Sequence, residues 1–205
     1  MKRLASTLPN MLISLGIITI GAGALLGLMY DVTKEPIELQ AQQQQQAAIR
    51  EVAPEYDNNP EADKWETDIN GNPFTVYPAM MNGKLAGAAV RGVSMNGFSG
   101  EIVVMAGFEA DGTLRDYRVL SQAETPGLGA KMETWFRDPV GARSVLGKNP
   151  ASYSFYVTKD AADHGQVDAI TAATISSRAF LEALRGAYEA YKNYNSEKGT
   201  EAPVK

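Results

Sequence analysis

The chain has 205 residues, 44% of them hydrophobic, which is enough for one modest core, and its net charge of −5 argues against a nucleic acid partner. It contains no cysteine, which excludes disulfides, thiol chemistry and a cysteine-ligated iron–sulfur cluster within this chain. Because a single histidine also disfavours a zinc or haem site, any redox role would need an organic cofactor.

Residues 8–29 form an apolar stretch of 22 residues without a charged side chain. As an α-helix rising about 1.5 Å per residue, the stretch is long enough to cross the hydrocarbon layer of a bilayer. The alternative is a cleaved signal peptide, because residues 22–24 resemble a small-x-small cleavage site. The stretch is longer than such peptides have, so a permanent anchor is the favoured interpretation.

The charges flanking this stretch predict its orientation. Lys2 and Arg3 precede it, whereas the residues that follow have no basic excess. By the positive-inside rule, the N-terminus lies in the cytoplasm and the rest of the chain lies outside it. Gly23 and Gly27 stand in the GxxxG register that lets membrane helices approach closely, although glycine is also simply frequent in membrane helices.

The domain organisation predicted from these patterns has four parts. Residues 1–30 hold the cytoplasmic N-terminus and the transmembrane helix, and residues 31–73 form a stalk and linker. Pro36 is expected to break the membrane helix, because the residue before a proline avoids the helical region. The glutamine-rich run after it favours a second, solvated helix. Residues 74–195 form the folded domain, and residues 196–205 a disordered tail.

The folded domain is predicted to be α+β, a small antiparallel sheet with packed helices behind an N-terminal transmembrane helix. Asn82-Gly83 and Asp111-Gly112 are hairpin turns between apolar runs. Strands are predicted at residues 74–77, 85–90, 102–108, 114–120 and 153–157, and helices at residues 131–136 and 176–193.

A short loop rich in hydroxyl groups leads into the last predicted helix, where Ser176 or a neighbour is expected to act as the cap. The free N–H groups and the dipole of such a helix start can hold a phosphate. On spacing alone, an ordinary capped helix start is the commoner explanation.

Three motifs between residues 97 and 174 carry a family resemblance. Asp168-x-x-Thr171-x-Ala173-Thr174 resembles the D-x-x-(S/T)-G-A-T signature of covalently flavinylated proteins, in which a flavin transferase joins the phosphate of FMN to the last threonine. Residues 97–102 (GFSGEI) and 124–129 (ETPGLG) extend the match. Together they resemble the FMN-binding G subunit of Rnf, the membrane-bound ferredoxin:NAD oxidoreductase, and the related C subunit of the sodium-pumping NADH:quinone reductase, Nqr.

The resemblance implies the site residues. FMN would be attached covalently through its phosphate to Thr174, with Thr171 and Ala173 in the same motif. The loop at residues 124–129 would line the isoalloxazine ring, and the candidate contacts are Glu124, Thr125, Leu128 and Gly129. Lys159, at the end of the strand predicted at 153–157, is expected to neutralise part of the phosphodiester charge.

Four further residues near these motifs are interpreted less specifically. Asp168 serves recognition by the transferase or caps its loop, and His164 is expected to be solvated. Arg178 either helps the anion site or faces solvent, and it has no assigned role. Ala172 stands where the signature usually has glycine, and alanine would be strained there if the position requires a positive φ.

The resemblance also implies a function. The chain would be an electron-carrying redox subunit, not catalytic alone, of a ferredoxin:NAD oxidoreductase that moves Na⁺ or H⁺. It would lie in the bacterial inner membrane with its FMN domain in the periplasm. Its partners would be other Rnf subunits, the flavin transferase and membrane lipid. Three alternatives stay open: the C subunit of Nqr, a membrane-tethered flavin-binding sensor, and a structural anchor that has lost its flavin.

Overall fold

The computed structural model describes residues 7–160, 162 and 164–198 of the chain. Contacts between residues divide the chain into two compact units, residues 1–44 and residues 45–205. The first unit holds most of a long helix, α1, which runs from Leu8 to Val52. The second unit holds the last turns of that helix, a five-stranded sheet and the remaining helices.

The apolar part of α1 is exposed along its length, as a helix surrounded by lipid would be. The hydroxyl groups of Ser14 and Thr19 donate to the carbonyls of Asn10 and Leu15, at 2.7 and 2.8 Å, so these polar groups are satisfied within the helix. Among the described residues, α1 is the one helix long and apolar enough to cross a membrane. This fits a single-pass membrane protein.

Helix α1 continues through Pro36, so the helix break predicted there is wrong. Proline in a helix removes one N–H donor and crowds the carbonyl four residues earlier, at a cost of about 3 kcal/mol. The alanines and glutamines that follow have favourable helix propensity, and the helix resumes its hydrogen bonding beyond the proline. The second helix predicted in the stalk is therefore the continuation of α1.

Five antiparallel strands form a meander in which each strand pairs with the next one along the chain. They are β1 (Trp65–Ile69), β2 (Asn72–Met81), β3 (Lys84–Ser94), β4 (Ile102–Glu109) and β5 (Leu114–Ser121). The four strands predicted between residues 74 and 120 are confirmed. The hairpin turn between β2 and β3 is also confirmed, because Asn82 and Gly83 have φ of 52° and 72°, as a type I′ turn requires. Strand β1 lies in the region predicted to be a linker, so the sheet begins before residue 74.

Helix α3 (Thr174–Lys198) covers one face of the sheet and confirms the helix predicted at 176–193. At the centre of this core Phe180 stacks on Phe136, with 4.6 Å between ring centroids, and meets the edge of Tyr117 at 4.9 Å. Aromatic pairs of this kind add to the stability gained by apolar burial. Helix α3 also includes the start of the tail predicted to be disordered, and residues 199–205 lie outside the described residues.

The last turns of α1 cover the opposite face of the sheet. Successive side chains of a strand point to opposite faces, and the second face buries Ala48, Ile49, Val52, Tyr77, Ala79, Ala89 and Met105 in one cluster. Gly107 of β4 lies directly beneath the end of α1, where a Cβ would overlap the carbonyl of Val52. The end of the predicted solvated stalk is thus part of the folded core.

The segment between β5 and α3 is mostly irregular. It contains a 3₁₀ turn at Gly129–Lys131 followed by the four-residue helix α2 (Met132–Trp135), which is shorter than predicted. The strand predicted at 153–157 is wrong, because within it only Val157 pairs, in an isolated bridge with Val167. The sheet ends at β5, and the hydroxyl of Tyr153 instead donates to the carbonyl of Gln166 at 2.6 Å.

Candidate functional site

A cavity of about 330 Å³ lies where the loop at residues 124–129 faces the start of α3. The residues of that loop predicted to contact a flavin line one side, and residues 172–176, which include the predicted attachment residue Thr174, line the other. The predicted residues in its lining are Glu124, Thr125, Leu128, Gly129, Ala173 and Thr174. The structure therefore brings together two motifs that are far apart in the sequence.

Glu124 connects three segments of this site. Glu124 as a whole is 5% exposed. Its Oε1 accepts a hydrogen bond from the backbone N–H of Ser99 at 3.0 Å, and Oε2 accepts one from the hydroxyl of Ser176 at 2.6 Å. The loop at 97–100, the loop at 124–129 and the first turn of α3 are thereby fixed to one another. Ser176 is therefore not the helix cap, because α3 begins two residues earlier and the Ser176 side chain serves Glu124.

Gly129 is required by the close approach of these segments. A Cβ built on Gly129 would lie 2.5 Å from Oγ of Ser176 and 2.7 Å from Oε2 of Glu124. Either contact is far shorter than packed atoms allow, so a side chain here would displace the Glu124–Ser176 hydrogen bond. The last glycine of the ETPGLG loop thus lets the loop backbone form the cavity wall.

Thr174 is the first residue of α3 and is partly exposed at the cavity. The loop before it is fixed by Ser177, whose hydroxyl donates to the carbonyl of Ala173 and accepts from the N–H of Ile170, both at 2.9 Å. The first N–H groups of an α-helix have no intrahelical acceptor and carry partial positive charge. An anion joined to the Thr174 side chain would therefore lie in a favourable field.

Ala172 has φ of +62°, the left-handed conformation that favours glycine. The position that is usually glycine in the motif therefore does require a positive φ, and alanine is strained there. Alanine can adopt this conformation, but with strain of about 1 kcal/mol. Ala172 also lines the cavity, so the strain lies within the site itself.

Replacing Ala172 with glycine is expected to raise the free energy of unfolding by up to about 1 kcal/mol, because glycine has no penalty at this φ. Denaturant unfolding of the purified chain measures the change. The matched control is Ala173→Gly, because Ala173 is buried and does not have a positive φ, and this change should destabilise the chain. Equal destabilisation by both changes would contradict the assignment of strain to Ala172.

Asp168 has contacts that support its interpretation as a loop cap. Its Oδ2 accepts the N–H of Ala142 at 3.1 Å, and its carbonyl accepts the indole N–H of Trp135 at 2.8 Å. Its own N–H donates to the carbonyl of Ala142 at 2.8 Å. Asp168 therefore ties the start of the 168–174 motif to Ala142 and Trp135, and its carboxylate accepts from the Ala142 side.

The remaining predicted residues lie outside the cavity lining. Thr171 and Lys159 are exposed and do not line the cavity, and His164 is exposed as predicted. Arg178 lies one helical turn after Thr174 and forms a two-pronged ion pair with Asp160, with Nε 3.0 and 3.1 Å from its two oxygens. This ion pair holds the pKa of Asp160 below its ordinary value.

A second cavity of about 430 Å³ adjoins the first along α3. Ile175 lines both cavities, while Arg178, Asp160, Tyr156 and Arg185 line the second alone. The guanidinium of Arg185 lies over the ring of Tyr156, with 3.6 Å to its centroid. Arg178 is therefore a cation one turn from Thr174 on α3, with its charge shared by Asp160, whereas Lys159 lines neither cavity.

Two apolar residues that the sequence did not single out stand at the cavity. Phe98 is 67% exposed and Ile175 is 49% exposed, and both line it together with Leu128. Phe98 lies between two glycines of the motif at 97–102, which is a signal that could have identified it. Ile175 directly follows Thr174, but apolar residues at a helix start are too common to be diagnostic.

Comparisons with known proteins identify the family of the chain. A family model described as FMN-binding domain matches residues 97–189, a range that contains every residue lining the first cavity. The chain is 33% identical to the G subunit of the ion-translocating oxidoreductase complex of Aliivibrio fischeri (strain MJ11), over 94% of both chains. It is 32% identical to the protein of the same name from Methanosarcina acetivorans, over 88% of this chain and 92% of the relative. The chain therefore belongs to the family formed by the G subunits of ion-translocating oxidoreductase complexes.

Proposed function

We propose that this chain is the FMN-carrying subunit of an ion-translocating oxidoreductase complex and that its FMN is attached through the phosphate to Thr174. The observation that carries the proposal is the cavity in which the loop at 124–129 faces Thr174. FMN has an anionic end and a flat, largely apolar ring. The cavity combines a helix start with apolar walls, which suits both parts.

The residues present fit an FMN ring. Phe98, Leu128 and Ile175 expose apolar surface around the cavity, and a bound ring would cover that surface. Gly129 lets the loop backbone approach Glu124 and Ser176 closely at the cavity. When bound, FMN supplies the electron-transfer chemistry, and these residues bind the ring, orient it and restrict water around it.

The proposed attachment is a phosphate ester. The hydroxyl oxygen of Thr174 bonds to the phosphorus of an activated FMN donor held by a flavin transferase, and the donor's P–O bond to its leaving group breaks. The hydroxyl proton passes to a base of the transferase. Because the bond forms at the phosphate, the ring stays chemically unchanged, and its surroundings set its properties.

Arg178→Gln is expected to lower the fraction of chains carrying FMN several-fold, because Arg178 lies one turn from Thr174 on the same helix face. Lys159→Gln removes the same charge from an exposed position outside the cavities and should have a smaller effect. The ratio of flavin to protein absorbance in purified samples measures both. A larger loss from Lys159→Gln would contradict the assignment of the main phosphate-neutralising role to Arg178.

The membrane arrangement follows from the N-terminal charges. We propose that Lys2 and Arg3 hold the N-terminus in the cytoplasm, that α1 spans the inner membrane and that the FMN domain lies in the periplasm. Covalent attachment keeps the cofactor with the chain where a dissociated FMN would be lost. The partners would be further Rnf subunits, the transferase and lipid, and electron transfer between ferredoxin and NAD would be coupled to Na⁺ or H⁺ transport.

The test of this function uses the protein purified from its native membrane together with its partner subunits. After acid precipitation and washing in denaturant, one flavin per chain should stay with the protein, and before denaturation this flavin should be reduced and reoxidised reversibly. A flavin washed away by denaturant would contradict the covalent link. A chain with no flavin at all would contradict the electron-carrier function.

A further inference from the structure

Glu124 is the one acidic residue that is buried among the residues the structure describes. The other buried polar residues in that part of the chain are serines: Ser94, Ser176 and Ser177. Charged groups are costly to bury, and a glutamate that is only 5% exposed is therefore unusual in a small domain. Glu124 also lines the cavity proposed for FMN, so its charge would lie close to a bound flavin.

Both carboxylate oxygens of Glu124 accept a hydrogen bond, but neither partner carries a positive charge. One oxygen accepts a backbone N–H and the other accepts a serine hydroxyl, both uncharged donors. Accepting at both oxygens is the pattern of an ionised carboxylate. The ion pairs found among the described residues, such as Arg178 with Asp160, involve other acidic groups.

From this arrangement we propose that the negative charge of Glu124 lowers the reduction potential of the flavin in the cavity. The inference rests on the proposed function. Reduction adds electrons to the ring, and a fixed negative charge nearby raises the free energy of the reduced form relative to the oxidised form. Charges interact more strongly in a partly buried site than in water, so one carboxylate has a measurable effect.

The charge of Glu124 can be separated experimentally from its structural role. In Glu124→Gln, the amide oxygen can still accept the N–H of Ser99, and the amide N–H can donate to the hydroxyl of Ser176. The size and both connections are kept, and only the charge is lost. Glu101→Gln is the matched control, because Glu101 is close in sequence to Ser99 but is exposed.

The experiment is a redox titration of flavin absorbance in the purified native protein and in both variants. Glu124→Gln is expected to raise the midpoint potential by the equivalent of about a tenfold change in the ratio of reduced to oxidised flavin, which is about 59 mV for a one-electron couple. Glu101→Gln should change the ratio less than about twofold, because solvent screens its charge. An unchanged or lowered potential in Glu124→Gln would overturn the inference, as would an equal rise in both variants.

Ser176→Ala provides a second measurement if Glu124→Gln does not fold or does not acquire flavin. It removes the hydroxyl that donates to Glu124 and keeps the carboxylate. The negative charge is then no longer partly offset by the hydroxyl dipole, so its effect on a flavin in the cavity is larger. The midpoint potential should then fall below that of the native protein, and an unchanged or raised value would overturn the inference. Flavin content is measured first on every sample, because native protein without flavin refutes the proposed function itself, separately from the role of Glu124.

Discussion

Replacing Thr174 with alanine is expected to abolish covalent attachment of FMN while leaving the domain folded. The side-chain hydroxyl is the atom proposed to form the phosphate ester, and alanine has none. Thr174 is only partly buried at the first position of α3, where alanine supports a helix at least as well as threonine. Fluorescence of the unstained protein band on a denaturing gel under ultraviolet light measures the outcome, which should be a complete loss.

Two further variants make this result specific to the hydroxyl of Thr174. Thr171→Ala removes the same groups three residues earlier in the motif, at an exposed position outside the cavity, and should keep covalent flavin. Thr174→Ser keeps a hydroxyl at the attachment position and should keep at least part of the fluorescence. Fluorescence that persists in Thr174→Ala and disappears in Thr171→Ala would move the attachment point to Thr171.

Replacing Gly107 with valine is expected to lower the free energy of unfolding by about 3 kcal/mol or more. Gly107 lies in β4 under the end of α1, and a Cβ there would overlap the carbonyl of Val52. The clash is with backbone, so it cannot be relieved by rotating a side chain. The cluster that α1 forms with the second face of the sheet would have to separate, exposing buried residues such as Ile49 and Met105.

Denaturant unfolding of the full chain in detergent, followed by near-ultraviolet circular dichroism, measures the effect of Gly107→Val. The matched control is Gly23→Val, which makes the same change where nothing lies within 4 Å of the added Cβ. This control should leave the unfolding of the sheet unchanged. Similar stability of Gly107→Val and the native chain would contradict the close contact between α1 and β4.

The strands of the sheet could be predicted because their signals are local. Asn82-Gly83 specifies a tight hairpin by its own backbone preferences. The turn places the apolar runs on either side next to each other, where they pair as antiparallel strands. The same holds for α3, whose apolar stripe matches the sheet face it covers. In a meander each strand pairs with the next one along the chain, so no long connection has to be predicted to obtain the strand order.

The errors concern features that depend on tertiary contacts. Pro36 is locally unfavourable in a helix, yet α1 continues through it. The last turns of α1 look like a polar stalk in sequence, but the few apolar residues among them meet small residues such as Ala89 and Gly107 on the sheet. Residues 153–157 alternate like a strand but have no partner strand, so the pattern alone was insufficient.

The site was predicted by resemblance more than by physical pattern. The motifs at 124–129 and 168–174 predict which residues contact the flavin, and the structure shows that residues of both motifs line one cavity. The burial of Glu124 could not be predicted, because it depends on hydrogen bonds with Ser99 and Ser176, which are far from it in the sequence. A glutamate in a Pro-Gly loop would ordinarily be expected at the surface.

Mass spectrometry of the chain purified from its native membrane tests the attachment of FMN to Thr174 most directly. The intact mass should exceed the sequence mass by one FMN less one water, and fragmentation should assign the addition to Thr174. An unmodified chain, or an addition on any other residue, would contradict the account. In that case the strained Ala172 would mark a motif that has lost its modification.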